Sequence, residues 1–236
     1  MIAPDNIKAP DSTEISGQTI SRLQMEALIA EAIAPLVFDG CDFEGADLSR
    51  LDMSGYTFKG CSLMETSLYA AKLEHSTWIS CRGRQAVFEA ADLVDAQFKS
   101  CDFNNTNWRR ARLSSASYSG CKLTGANFEE VSYLGLVFED TLLIGADLRK
   151  MSFRKLQLQQ LDFSDADLSG CDFSNTVFVG GSLRNAHLKL TRFDGADLRE
   201  ADIGGLQLHD AKLFRGATIS RNQASALLSE LGLTVA

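Results

Sequence analysis

Along most of this chain the apolar positions recur every fifth residue. In FDGCDFEGADLSRLDMSG (residues 38–55), Phe38, Phe43, Leu48 and Met53 are large and apolar. Cys41, Ala46 and Leu51 sit two places before the last three, and nearly everything else is polar or Gly. An α-helix repeats its apolar face about every 3.6 residues and a flat strand every two, so neither fits. The period of five runs from 38 to 213 without an insertion, and of its 36 large sites only Gly83 lacks a Phe, Leu, Met, Trp, Tyr or Ile. The site two places earlier is mostly small: Ala, Cys, Thr, Ser, Gly or Val, with occasional larger residues. A chain that buries two residues in every five and then turns a corner closes a square coil in twenty. Stacked coils pair their backbones as parallel strands about 4.8 Å apart, which makes residues 36–215 nine coils and a rod roughly 43 Å long.

The pentapeptides GADLS, GANFE, GADLR and DADLS resemble the A(D/N)LXX consensus of the pentapeptide-repeat family, over about three quarters of the chain. The resemblance implies an all-β fold, a right-handed quadrilateral β-helix. It also implies a function class, because the ending of this chain is similar to that of the gyrase-protecting branch of the family, the MfpA, Qnr and AlbG proteins. There the segment after the last coil joins two rods end to end, and the rod occupies the DNA groove of the enzyme. Two departures stand against that branch: no loop interrupts the register, and the N-terminal helix is longer than an MfpA-like chain leads one to expect.

Caps flank the repeats. Residues 1–35 form an N-terminal extension, loose at its start, and then a helix over SRLQMEALIAEAIAP, with Ser21 and Gln24 as a capping box and Pro35 as its stop. Leu23, Ala27, Leu28 and Ile33 are its expected contacts with the open first coil. Residues 216–236 repeat the logic with Ser220, Gln223 and Gly232, and Ala224, Leu227, Leu228 and Leu231 share a helix face. With Phe214, expected to point outward from the last coil, these four make the candidate homodimer interface, since an apolar face at a chain end must be covered by something.

All six cysteines (41, 61, 81, 101, 121 and 171) fall on the small inward site, the first five at intervals of twenty, and so predict a buried ladder of free thiols. Unpaired thiols, a start without a basic-then-apolar leader and the lack of any 18-residue apolar run point to the cytoplasm rather than to export or a membrane. Formal net charge is −8, with 25 acids and 20 bases inside the rod. Sorted by face, those centred on Phe38 and Phe43 hold 12 acids and 7 bases, whereas those centred on Leu48 and Met53 hold 13 of each. The excess lies on the first pair: Asp42, Glu44, Glu65, Asp102, Glu139, Asp140, Asp162, Asp165, Asp197, Glu200 and Asp202. A negative surface repels nucleic acid and suits a basic partner. Duplex DNA of the same length carries roughly 25 charges, so mimicry by this rod is partial.

Chemistry beyond charge is sparse. His75, His187 and His209 read as isolated, no Gly-rich phosphate loop or metal-ligand spacing occurs, and a rod offers no dry pocket for paired carboxylates, so no catalytic group, cofactor or metal is expected. Gly83, between Arg82 and Arg84, leaves an inward site for Leu63 and Phe103 to fill, or else a flexible basic spot. Leu134, Val137, Leu142, Ile144, Val177 and Val179 sit outward and form a candidate contact patch. The sequence therefore predicts a binding protein whose partner is DNA gyrase or a related type II topoisomerase, with a rigid scaffold for some other partner as the alternative.

Overall fold

The structure, a computed structural model, describes residues 14–205, 208–230 and 232–234, the side chains of 208–210 and 230 excepted. It is a β-solenoid of four faces. On the Phe38 face lie β1 (Glu14–Ser16), β2 (Val37–Asp39), β3 (Thr57–Lys59), β4 (Thr77–Ile79), β5 (Gln97–Lys99), β6 (Ser117–Ser119), β7 (Val137–Glu139), β8 (Gln157–Gln159) and β9 (Val177–Val179). The last eight mark about eight turns, each strand paired in parallel with the next except β7 with β8. The other faces pair through single bridges at the same offset of twenty, such as Asp42↔Ser62, Asp47↔Ser67 and Asp52↔Lys72. Two short helices, α1 (Arg22–Glu31) and α2 (Arg221–Glu230), stand at the ends. None of the described helices is long and apolar enough to cross a membrane.

The five-residue step has a backbone cause. Outside one break described below, the large residues donate their N–H to the next coil, as Phe43 does to Ser62 O (2.8 Å) and Leu48 to Ser67 O (2.8 Å). Corners after the Phe43, Leu48 and Met53 faces are closed by a local bond such as Ala46 N–H to Phe43 O (2.9 Å), with the residue two past the large one in the left-handed region. That region costs a non-Gly residue roughly 1–2 kcal/mol, yet 21 corners hold one, Arg50 and Lys155 among them. The ladder on both sides of each corner over-determines its conformation.

Side chains fill the interior in columns. Phe38, Phe58, Trp78, Phe98, Tyr118 and Phe138 stack down one face at centroid spacings of 4.1–5.7 Å. The small sites carry the polar accounting: Cys61 Sγ lies 3.5 Å from Phe38 O, and Thr66 Oγ1 donates to Phe43 O at 2.7 Å, each 23 residues back. A thiol and a hydroxyl thus satisfy the same carbonyl position, which explains why Cys and Thr interchange there. All six cysteines are free and buried, and burial pushes the Cys171 thiol up to about 12. Each Trp indole N–H finds the hydroxyl two residues earlier, Trp78 on Ser76 (2.9 Å) and Trp108 on Thr106 (2.7 Å). The buried Tyr118 hydroxyl has no partner among the described residues. At Gly83 an added Cβ would strike the ring of Phe103, so Phe103 leans into the missing side chain's space.

The ends correct the expected boundaries. Residues 14–20 are part of the solenoid rather than a loose lead-in: Ile15 pairs with Phe38, Thr19 with Asp42, and Ile15 and Ile20 are buried. The chain then leaves the coil through α1. Ser21 and Gln24 form the capping box, and Arg22 donates to Asp47 O (2.9 Å) and Ser49 O (3.2 Å). That anchor turns Met25 fully inward with Leu28, Ile29 and Ala32 beside it. Leu23, Ala27 and Ile33, expected as contacts, face outward instead. At the other end the regular frame holds to Gly205, and Leu208–Phe214 is a 3₁₀ turn. Asp197 pairs with Thr218, an offset of twenty-one, so one residue has been added to the coil. Phe214, expected outward, stacks instead on Phe193 at 4.6 Å. Helix α2 mirrors α1: Ser220 and Gln223 cap it, and the Gln223 amide donates to Leu198 O and Ala201 O (both 2.7 Å).

One break interrupts the ladder. Strands β1–β7 form one sheet and β8–β9 another. Between residues 130–136 and 149–157 the bridge Ser132↔Ser152 and the bonds flanking it are absent, whereas Arg112↔Ser132 and Ser152↔Asp172 are made on either side.

Four outcomes check this fold. Inserting two residues after Gly125 moves every later large residue off its inward site, and the thermal transition should fall or split; wild-type melting would contradict the frame. Phe103→Ala should cost about 3–5 kcal/mol in denaturant unfolding, whereas Tyr118→Phe, which removes an unpartnered hydroxyl, should be neutral or stabilising by about 1 kcal/mol. Native thiols should react slowly with an aromatic disulfide reagent and number six on denaturation without reductant; a smaller count would mean disulfides.

Candidate functional site

Many surface carboxylates of the rod exist because the corner needs them. The Asp one place before a large residue accepts the N–H two residues on: Asp42 from Glu44 (3.0 Å), Asp47 from Ser49 (3.0 Å), Asp162 from Ser164 (2.9 Å), Asp202 from Gly204 (2.9 Å). An Asx turn of this kind pre-forms the bend and explains the Asp/Asn of the repeat. Asp197 does the same for Arg199 N–H and also pairs with its side chain; the Arg199 guanidinium, against a smaller burial penalty, holds its carboxyl below the usual range. Such residues are turn-formers first. Among the sequence-predicted site residues, Glu44, Glu65, Asp102, Glu139, Asp140, Asp165 and Glu200 accept no side-chain or backbone hydrogen bond of this kind among the described residues.

Ion pairing divides the faces more sharply than composition does. On the Leu48 and Met53 faces, eleven of the twelve carboxylates with described side chains stand within 4.0 Å of a basic group, Glu74 being the exception. Several are ladders between coils: Arg109 reaches Glu89 and Glu129, Arg149 reaches Glu129, Asp147 and Asp167, and Arg110 meets Glu130 at 2.9 Å. On the Phe38 and Phe43 faces only Asp197 and Asp202 of twelve are so paired among the described residues. Exposed pairs of this kind contribute about 0–1 kcal/mol each, so stability does not set the division. Its consequence is the field: one side of the rod neutralises itself locally and the other presents free carboxylates.

That field is not uniform along the rod. The first coil carries Asp39, Asp42 and Glu44 with no base. Coils two to five bring Lys59, Arg82, Arg84, Lys99 and Lys122 against Glu65 and Asp102, a neutral to basic belt. Residues 136–145 and 156–165 then hold Glu139, Asp140, Asp162 and Asp165 and no cation. Glu200, Asp197 and Asp202 follow beside Arg184 and Arg199. The predicted acidic surface is therefore two patches separated by a belt, a division that total charge conceals.

The C-terminal residues predicted to pair two rods divide as well. Leu227 and Phe214 pack on the core of their own chain, Ala224 is half-buried, Leu228 is 38% exposed, and Leu231 lies outside the described residues. Here α2 is a cap for its own coil before it is anything else. His75, read as isolated, has Asp95 one coil away at 3.6 Å, both exposed, because the offset of twenty brings them together. Of the outward apolar residues, Leu134, Val137 and Val177 are exposed, and the first two border the break in the ladder.

Two family profiles match the sequence: "Pentapeptide repeat region" over residues 35–108 and 51–128, and "Pentapeptide repeats (8 copies)" over 135–170 and 178–213. No curated protein matches in sequence at a significant level. Among solved structures, full-length QnrB1, described as a plasmid-mediated fluoroquinolone resistance protein, superposes with a TM-score of 0.55 at 22% identity, covering 94% of this chain and 98% of that one. A trypsin-treated variant of QnrB1 gives 0.57 at 20% identity, covering 95% and 99%. HetL, a pentapeptide repeat protein involved in heterocyst differentiation regulation in a cyanobacterial Nostoc strain, gives 0.36 at 16% identity over 85% and 91%, too distant to carry an argument. With unbroken pentapeptide register, a four-faced solenoid and profile matches over most of its length, the chain belongs to the pentapeptide-repeat family.

Proposed function

We propose that the protein binds DNA gyrase or a related type II topoisomerase through the free carboxylates of its Phe38 and Phe43 faces and thereby modulates the enzyme's response to quinolones or to a topoisomerase-poisoning toxin. The observation that carries this reading is the division of ion pairs among the described residues: ten of twelve carboxylates on that side lack a basic partner within 4.0 Å, and the opposite side is paired almost throughout. A groove built for DNA attracts negative charge that is not already neutralised. The rod-long likeness to QnrB1, a fluoroquinolone resistance protein, adds support at the level of fold. Within the surface, Glu139, Asp140 and Asp165 are the principal contacts, because they are free both of ion pairs and of turn-forming bonds among the described residues and lie in 136–145 and 156–165, which hold no cation. A pair of rods joined at the C-terminal end would use the exposed Leu228 and Leu233.

A second reading has its own observation. The belt of Lys59, Arg82, Arg84, Lys99 and Lys122 interrupts the acidic side, which duplex DNA never does. It favours a scaffold whose partner is not a topoisomerase and alternates in charge along its length.

Reversing Glu139, Asp140 and Asp165 to Lys should weaken gyrase binding by tenfold or more at low salt, with a smaller loss at high salt where screening shortens the field. The same reversal at Glu129, Glu130 and Asp147 should matter less for binding. Equal effects would mean non-specific charge, and no binding by the wild type at any salt would favour the scaffold. Leu228→Asp should convert any dimer seen by light scattering to monomer; a wild-type mass near 26 kDa would remove the paired rod.

A further inference from the structure

The break between residues 130–136 and 149–157 is a place where the fold withholds its own hydrogen bonds. Elsewhere the Met53 face pairs regularly: Leu113 N–H meets Ser132 O (2.7 Å) and Phe153 N–H meets Asp172 O (2.8 Å). At the break Tyr133 N, Gly135 N and Gln157 N have no backbone acceptor, and Val131 O and Leu136 O no backbone donor, among the described residues. One side chain stands in the place of a ladder bond. Tyr133 occupies a large inward site but must satisfy a hydroxyl, and that oxygen accepts the Ser152 N–H at 3.0 Å, the proton that the ladder pattern assigns to Val131 O. The phenol acts as a wedge, and the core columns change sides across it. Above it the aromatic columns run down the Phe38 and Leu48 faces to Phe138 and Phe128; below it Phe153 and Phe173 begin a column on the Met53 face.

The opening has a defined chemistry. It encloses about 420 Å³ lined by Leu134, Leu136, Val137, Met151 and Leu156 beside Tyr133, within the range of about 300–1,000 Å³ usual for binding pockets. Leu134 is 85% exposed and Val137 54%. Lys150, Arg154 and Lys155 stand along its lower side, exposed and without an ion-pair partner within 4.0 Å among the described residues. The nearby acids Glu129 and Glu130 are already taken by Arg109, Arg149 and Arg110, while Glu139 and Asp140 lie at the far corner of the upper turn.

We infer that this cleft receives an extended segment of a partner protein, with apolar side chains alternating with carboxylates. Unpaired backbone donors and acceptors on a parallel edge recognise another extended backbone. The apolar lining takes every second side chain, and the three free cations select acidic residues for the rest. This surface adjoins the carboxylate surface proposed for gyrase at Val137 on the Phe38 face, but it has the opposite sign and its test variants replace none of those carboxylates, so the two readings fail separately.

The test is selection of phage-displayed random dodecapeptides on the full chain, followed by fluorescence anisotropy with the enriched peptides. The expected result is peptides alternating apolar residues with Asp or Glu. Leu134→Glu, at an exposed position, and the combined Lys150→Glu, Arg154→Glu and Lys155→Glu should each weaken them by roughly tenfold or more. Tyr133→Leu, which removes the wedge and lets the ladder close, should raise the melting temperature and abolish binding. No enrichment, enrichment of basic peptides, or peptides whose affinity is unchanged in all three variants would overturn the proposal. So would loss of self-association in Leu134→Glu, because the occupant would then be a second copy of this chain.

Discussion

Every feature of this molecule hangs on a backbone bond that spans one coil. Away from the break at Tyr133, the N–H of a large residue reaches a carbonyl on the next turn, as Phe88 reaches Asn107 O at 2.7 Å, and that fixed offset stacks like on like: Phe58 on Trp78, Cys81 above Cys61, Arg109 between Glu89 and Glu129. Left-handed corners are tolerated because the ladder holds both of their sides. Surface electrostatics follow too, since a residue's neighbours are its counterparts one coil away rather than those next in sequence.

The interior was legible in the chain because the period is strict and each position is chemically simple. Whatever departs from the period was not. Residues 14–20 offer only Ile15 and Ile20 in frame, and their offset to the first coil is 23, so a search at intervals of twenty passes over them. The start of helix α1 is legible in its capping box, but it ends at Glu31 rather than at Pro35, and its rotation is not legible because the Arg22 contacts to Asp47 O and Ser49 O that aim Met25 inward are tertiary. The extra residue that slides Phe214 under Phe193 falls in a stretch that still looks periodic.

The acidic surface was legible as a sum and illegible as a pattern. Counting charges gives the excess on two faces, but which carboxylates are free depends on which side chains meet across coils and which Asp is committed to a turn. Asp162 and Asp202 look equivalent to Asp165 in the sequence, yet both accept backbone N–H bonds that Asp165 does not. In the sequence Tyr133 is one more aromatic in a series of large residues; only the structure shows its hydroxyl taking the Ser152 N–H at the break in the ladder.

The surface thus has a neutralised side, an acidic side in two patches, and a cation-edged cleft. The proposal that the acidic side addresses a topoisomerase is tested most directly by DNA supercoiling with purified gyrase and a fluoroquinolone, titrated with the intact protein. The account predicts that supercoiling inhibited by the drug is restored as protein is added, or that supercoiling without drug is altered in a saturable way. Unchanged supercoiling under both conditions, at protein concentrations well above that of the enzyme, would contradict it.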